Sequence, residues 1–342
     1  MSIPDSLSDF FRRFVPYIEE EMRAVINDGL QPRQFNVMLN YHLGFADRQG
    51  APTTAASGKR IRPMLTLLSC EACGGNWQAA LPAAAAVELL HNFSLIHDDI
   101  EDRDELRRGR PTLWKVWGEA QAINAGDAMF AFAHLALLRS VERGAPVERV
   151  VRAMRAFDET CIRLTIGQHL DLSFESRGDV TADEYMRMIE GKTAALTSAA
   201  CEIGALIGGA DAKTARAFAE FGRWLGIAFQ LQDDVLGIWG DPALTGKQDS
   251  DLANGKKTLP VLYAAERDAR LHERYLRVGG LTDAEVQAVR QMIEAAGGKA
   301  HAEQAAEDAC AGALSALDST GLDNPACRAL RDLAQGLLGR TN

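Results

Sequence analysis

The sequence predicts an all-α protein, a single large helical bundle over residues 1–342. Three observations carry that expectation. Apolar residues recur at helical spacing along much of the chain, as in Phe10, Phe14, Ile18 and Met22. No proline stands between Pro146 and Pro242, so long uninterrupted helices are allowed there. No segment alternates apolar and polar residues with β-branched enrichment, so no sheet is expected.

Taken in order, residues 5–26 and 33–46 read as amphipathic helices whose apolar stripe suits a core or a subunit interface. The small, polar residues 47–58 form a loop. Gly58-Lys59-Arg60-Ile61-Arg62-Pro63 opens the next apolar helix. Cations at a helix start suit an anion, because free N–H groups and the helix dipole point the same way; a solvated basic turn has the same signature. Further helices are expected at 78–103, 120–141, 147–174, 181–208 and 211–239. Residues 240–257 form a second conspicuous loop, and beyond Pro260 the chain returns to Ala- and Leu-rich helices. No repeat or linker divides it, so one domain is expected.

Composition narrows the function class. The chain is 47% hydrophobic and 25% charged, as in soluble globular proteins. A net charge of −10 argues against a general nucleic-acid partner. Cys70 and Cys73 form a CxxC inside an apolar helical pattern, with no second pair, so all six cysteines read as buried free thiols. There is no basic-then-apolar leader pattern and no run of eighteen apolar residues, so a cytoplasmic protein without a membrane span is expected.

The chemistry concentrates where the apolar run Phe93, Leu95, Ile96 gives way to Asp98, Asp99, Glu101 and Asp102, then to Arg107, Arg108 and Arg110. On a helix, Asp98 and Asp102 share a face, and without a cation their like charges cost stability. Oxygen ligands at this spacing suit a hard divalent ion such as magnesium, which binds one or two carboxylates plus substrate phosphates, and arginines suit those phosphates. A second acidic pair, Asp233-Asp234, follows the apolar segment Trp224–Gln232. Between the two pairs lie Gly167-Gln168, with Asp171 one turn on, and Gly191-Lys192-Thr193. One acidic pair is most often a solvated helix end; two such pairs with interspersed cations are much harder to read as surface.

These motifs, in this order, resemble the trans-isoprenyl diphosphate synthases, the polyprenyl synthetase family, over about residues 55–262. Asp98-Asp99-Ile100-Glu101-Asp102 matches the first aspartate-rich motif, followed by Arg107-Arg108-Gly109. The other matching positions are Gly58-Lys59, Arg62-Pro63, Gly167-Gln168, Lys192-Thr193 and Phe229-Gln230-Leu231-Gln232-Asp233-Asp234. The resemblance implies that an allylic diphosphate loses pyrophosphate to give a carbocation, which isopentenyl diphosphate attacks. It implies three magnesium ions, which manganese can replace, held by Asp98, Asp102 and Asp233 with Asp99 and Asp234 in support. Arg107, Lys192, Lys247 and Lys256 would clamp the allylic diphosphate, with Thr193 and Gln230 donating hydrogen bonds. Spacing to Pro260 favours Lys256 over Lys257. Lys59, Arg62, His91 and Arg108 would hold isopentenyl diphosphate without metal. Loops 47–58 and 240–257 would close over the site and exclude water.

The second motif departs from the family pattern, since its third aspartate is Gly237; Asp241 is the candidate replacement. Phe93 lies roughly 7.5 Å below Asp98 along the helix. With the small Ser94 beside it, this resembles the geranylgeranyl, twenty-carbon pattern, with farnesyl as the alternative. Phe130 and Phe132 are further candidates for the tunnel floor. A class I terpene cyclase would carry a different second motif and would not need Lys59, Arg62 and Arg108 for a second diphosphate. A non-catalytic partner subunit would tend to have lost its aspartates. A homodimer is implied by the resemblance, through apolar faces such as Ile123–Leu138.

Overall fold

The helix around which the others pack is α4, Trp77–Glu101. From Ala79 to Leu90 every residue is buried, and Ala83, Ala84, Ala85 and Ala86 have no exposed surface at all. A helix apolar all round belongs inside a bundle, and its small residues let neighbours approach closely. Each fully buried leucine such as Leu89 or Leu90 contributes roughly 1.5–3 kcal/mol. Among the described residues, α4 is the one helix long and apolar enough to cross a membrane, yet 78% of its apolar stretch is buried inside the protein.

The computed structural model describes residues 5–27, 29, 32–53, 58–240, 251–276 and 281–338. Around α4 are packed α1 (Asp5–Ile26), α3 (Ile61–Ala72), α6 (Glu119–Leu138) and α9 (Ala195–Gly208). The long helices α7 (Val147–Glu175) and α10 (Ala212–Trp239) pack on α9 from further out. Helix Gly298–Asp318 lies along α10, and Leu259–Ala265 and Pro325–Leu338 complete that side. Local signals set the starts: Asn76 accepts from the Gln78 amide at 3.0 Å and Asp211 from the Thr214 amide at 2.7 Å.

Three details differ from the sequence expectation. The helix expected over 33–46 is α2 (Arg33–His42), and the left-handed Gly44, φ 79°, follows its end. Leu106–Arg107 and Arg110–Pro111 pair as a two-residue antiparallel hairpin where no strand was expected. Its turn residues Arg108 and Gly109 both have positive φ, 52° and 74°, which is the type I′ geometry that follows strand twist. The helix expected over 181–208 divides into α8 (Ala182–Ile189), a π-helical turn Glu190–Ala194 and α9. The thiols are as expected: all six cysteines are free and five are buried.

Candidate active site

Asp98 and Asp99 occupy the last turn of α4, and Asp102 is its C-cap, its amide reaching the Asp98 carbonyl at 2.8 Å. A helix C-terminus already carries partial negative charge, so carboxylates there have no help from the dipole. Burial pushes Asp98 up to about 6; Asp102 and Glu101 add to that, against the pull of Lys192 and Arg107. Asp102 is raised as well, by burial above all. An oxygen-only cluster that resists carrying its own charge is chemically suited to a hard divalent cation, and Asp98 and Asp102 are the pair placed to hold one.

Lys192 faces this pair from the π-helical turn. Burial would lower its pKa, but Asp98, Asp171 and Asp102 outweigh burial and raise it, and its Nζ donates to Asp171 Oδ2 at 2.5 Å. At this turn α7 crosses at backbone contact: a Cβ on Gly167 would lie 2.1 Å from the Lys192 amide nitrogen. A single-turn π bulge re-aims side chains, and this one presents Lys192 and Thr193 to the site. Gln168, next to that crossing, donates to Glu101 Oε2 at 2.6 Å and ties α7 to the first motif.

The second acidic pair lies on α10. Thr193 donates to Gln230 Oε1 at 2.8 Å, and Gln230 donates to Asp234 Oδ1 at 3.1 Å. Tyr185, fully buried on α8, donates to the other oxygen of Asp234. Burial pushes Asp234 up to about 7 against the pull of these two donors. With both oxygens occupied, Asp234 orients its neighbours, and the half-buried Asp233 lies on the side of Arg62, on which its charge acts. Asp99 is comparable: it is 1% exposed and accepts from Arg107 Nε, which fixes Arg107 beside the first motif. Burial raises Asp99 to about 6 despite that pairing.

A basic basin adjoins the carboxylates. Arg62 Nη1 donates to His91 Nε2 at 3.2 Å, so the His91 proton resides on Nδ1. Burial holds His91 well below its ordinary range, reinforced by Arg62, Arg108, Arg107 and His42. Burial also disfavours the charge of Arg62, which Glu88 and Asp233 counter, so the basin and the second motif are neighbours. Arg108 reaches Gly58 from the hairpin turn; a Cβ there would meet its Nη2 at 2.7 Å. The lysine that follows, Lys59, is exposed. His42 was not anticipated from sequence, since nothing in its local pattern marks it. Burial and the charges of Arg107, Arg108, Arg110 and Arg60 push it down to about 3, and its buried Nε2 finds no partner among the described residues.

Two adjacent lysines have different jobs. Lys256 is exposed and close enough to Asp102 to lower its pKa, whereas Lys257 Nζ donates to the Phe174 and Glu175 carbonyls at the end of α7. Lys247 and Asp241 lie outside the described residues, as do parts of both loops expected to close over the site. At the position of the missing third aspartate, a Cβ on Gly237 would lie 1.8 Å from Asp251 Oδ2. Asp251, 5% exposed, donates its amide to the Gly237 carbonyl at 3.2 Å. It was missed because it is fourteen residues beyond Gly237 in sequence, a distance no motif spacing spans.

Below Asp98, the Phe93 ring contacts Phe130 on α6 with centroids 4.9 Å apart, and His97 at 4.8 Å. Phe132 is two residues on, roughly 200° around the helix, and is 8% exposed in the core. The Ser94 hydroxyl turns back to the His91 carbonyl at 2.9 Å, so it projects nothing bulky.

Comparison with known proteins agrees with this geometry. The polyprenyl synthetase family profile matches residues 49–296. The chain is 43% identical over 321 residues to a (2E,6E)-farnesyl diphosphate synthase of Mycobacterium tuberculosis, covering 92% of this chain and 88% of that one. It is 42% identical over 285 residues to a geranylgeranyl diphosphate synthase of the same organism, covering 82% and 80%. Among solved structures, a polyprenyl synthetase from Streptomyces coelicolor superposes with a TM-score of 0.89 at 39% identity, covering 97% of this chain and 99% of that one. A geranylgeranyl pyrophosphate synthetase from Pyrococcus horikoshii superposes with a TM-score of 0.88 at 35% identity, covering 98% and 100%. Two carboxylate clusters facing a lysine-bearing π turn, a basic basin beside them and this likeness along nearly the whole chain identify it as a member of the polyprenyl synthetase family, a trans-prenyltransferase.

Proposed function

We propose that the chain extends allylic diphosphates with isopentenyl diphosphate to geranylgeranyl diphosphate, with farnesyl diphosphate as the alternative product. The single observation supporting the twenty-carbon reading is the Phe93–Phe130 contact, which sets two aromatic rings against each other between α4 and α6, five residues below Asp98. Relatives bearing both product names are similarly identical, so identity does not choose between them. Chromatography of products made from dimethylallyl and isopentenyl diphosphates tests the reading. Geranylgeranyl diphosphate is expected, and a product ending at farnesyl overturns it.

In this reading Asp98, Asp102 and Asp233 hold three magnesium ions, with manganese able to replace them. Magnesium, when bound, neutralises the negative charge that develops on the departing pyrophosphate. Lys192, Lys256, Arg107 and Lys247 bind and orient the allylic diphosphate, and Thr193 and Gln230 add hydrogen bonds. Asp99 and Asp234 position Arg107 and Gln230. Arg62, His91, Arg108 and Lys59 hold isopentenyl diphosphate, with its double bond toward the allylic C1. The allylic C1–O bond breaks with its electron pair leaving on pyrophosphate, the new C–C bond forms, and the proton then lost passes to the pyrophosphate. Asp251 takes the place of the third aspartate absent at Gly237.

The protein acts as a homodimer in the cytoplasm. Supporting the homodimer are the exposed apolar side chains along α6 and α7, Ile123, Leu135, Leu138, Val151, Ile162 and Ile166, each 41–62% exposed. Light scattering at micromolar concentration tests it: a dimer mass is expected, and a monomer across the range contradicts it.

A further inference from the structure

We infer that His134, Asp158 and Cys161 form a second metal site, for a borderline or soft divalent ion such as zinc, where α6 meets α7. Candidate ligand atoms of the three residues all lie within 4.8 Å of one another. Asp158 and Cys161 are one turn apart on α7, so both reach toward the same side of His134 on α6.

The orientation of His134 points to a cation. Its ring sits edge-on to Phe130 and Phe157, with centroids 4.6 and 5.0 Å away, so its direction is fixed by packing. Nδ1 is 2.9 Å from the Phe130 carbonyl, a group that can only accept. Nδ1 therefore carries the proton, and in the neutral ring Nε2 aims a lone pair at Asp158 Oδ1, also 2.9 Å away. Two acceptors at that distance need positive charge between them. A ring nitrogen donating to a backbone carbonyl while the other faces outward is the arrangement found behind metal-bound histidines.

A second proton on His134 answers that need as an ordinary ion pair, but it makes no use of Cys161. An imidazole, a carboxylate and a sulfur together match zinc or cobalt and not magnesium, which takes oxygen. Three protein ligands leave a fourth position, filled by water or by the facing subunit, on the side of Asp158, which is 56% exposed in the single chain. Burial pushes the Cys161 thiol up to about 12, so the incoming ion displaces the thiol proton to solvent and the residue binds as thiolate, with no redox change. The bound ion would clip α6 to α7 behind Phe130, separate from the oxygen-only cluster on α4.

The test uses the full chain in a large excess of magnesium, which occupies the carboxylates. With cobalt(II) added, the wild type is expected to show a thiolate-to-cobalt charge-transfer band that zinc abolishes. Cys161→Ser is expected to lose the band while keeping magnesium-dependent condensation, and Asp158→Asn, at an exposed position that folding tolerates, to weaken zinc binding roughly tenfold or more. A wild type without the band, a band that persists in Cys161→Ser, or zinc affinity unchanged in Asp158→Asn overturns the proposal.

Discussion

Gly237 and Asp251 share one space. The carboxylate of Asp251 lies 1.8 Å from where a Cβ on Gly237 would be, so the site has room for one of the two side chains and not both. The pair is joined further by the Asp251 amide to the Gly237 carbonyl. A glycine in an acidic motif is thereby matched by an acid folded back onto it. Asp251 is therefore the replacement proposed here; Asp241, the candidate that spacing offers, lies outside the described residues.

The swap is testable by moving the carboxylate back. Asp251→Ala is expected to lower kcat about 10–100-fold, the usual cost of losing a group that orients metal ligands. Gly237→Asp alone should lower both kcat and Tm, because it forces two acids into one volume. The double variant should recover activity relative to either single one, a coupling that steady-state kinetics reads directly. Unchanged kcat in Asp251→Ala removes Asp251 from the site.

Lys256 and Lys257 should separate in kinetics and stability. Lys256→Ala is expected to raise KM for the allylic diphosphate, with kcat/KM down about tenfold, equivalent to about 1.4 kcal/mol. Lys257→Ala should leave kinetics near wild type and lower Tm by a few degrees, through about 1 kcal/mol lost at the α7 C-terminus. Reversed effects would mean that the two lysines have exchanged roles.

The carboxylate clusters should destabilise the metal-free protein as pH rises. Asp98 and Asp99 are raised to about 6 and Asp234 to about 7, above their ordinary value of 3.8, so the fold favours their protonated forms. That contribution is lost as pH climbs from about 4 through about 7. His42 and His91 act oppositely, their contribution being present above about 6.5 and lost as pH falls. The histidine effect is common to samples with magnesium and with chelator, so their difference reports the carboxylates. Calorimetry should show a magnesium-induced gain in Tm that grows from pH 5 to pH 8. At a hundredfold excess over Kd the ion adds about 2.7 kcal/mol. A gain that shrinks with rising pH contradicts the placement of the metal on these groups.

Product length should respond to Phe93. Phe93→Ala opens the space up to Phe130 and is expected to lengthen the product beyond twenty carbons, read by chromatography of the dephosphorylated alcohols. Phe132→Leu, changed in the core on the other side of α6, should leave product length unaltered. An unshifted product in Phe93→Ala assigns Phe93 to packing alone.

Much of this was legible in the sequence where local rules dominate. The 147–174 and 211–239 patterns give helices ending within one residue of the observed ones, because periodicity and caps act over a few residues. The first aspartate motif, Lys192-Thr193 and Gln230 could be read from order and spacing. What escaped depends on contacts distant in sequence. The π turn at 190–194 sits where Gly167 meets the Lys192 backbone, Asp251 reaches Gly237 from fourteen residues on, and His42 gains its arginine neighbours only in the folded chain. The Arg108-Gly109 hairpin is two residues a side, too short for alternation to register.

The most direct test of the two-cluster clamp follows pyrophosphate release and isopentenyl diphosphate consumption together, in the purified wild type and in Asp98→Asn. With magnesium, the wild type should release one pyrophosphate per isopentenyl unit consumed, and chelator or Asp98→Asn should reduce both at least a hundredfold, about 2.7 kcal/mol. Pyrophosphate released without isopentenyl consumption, or full activity in chelator, would contradict it.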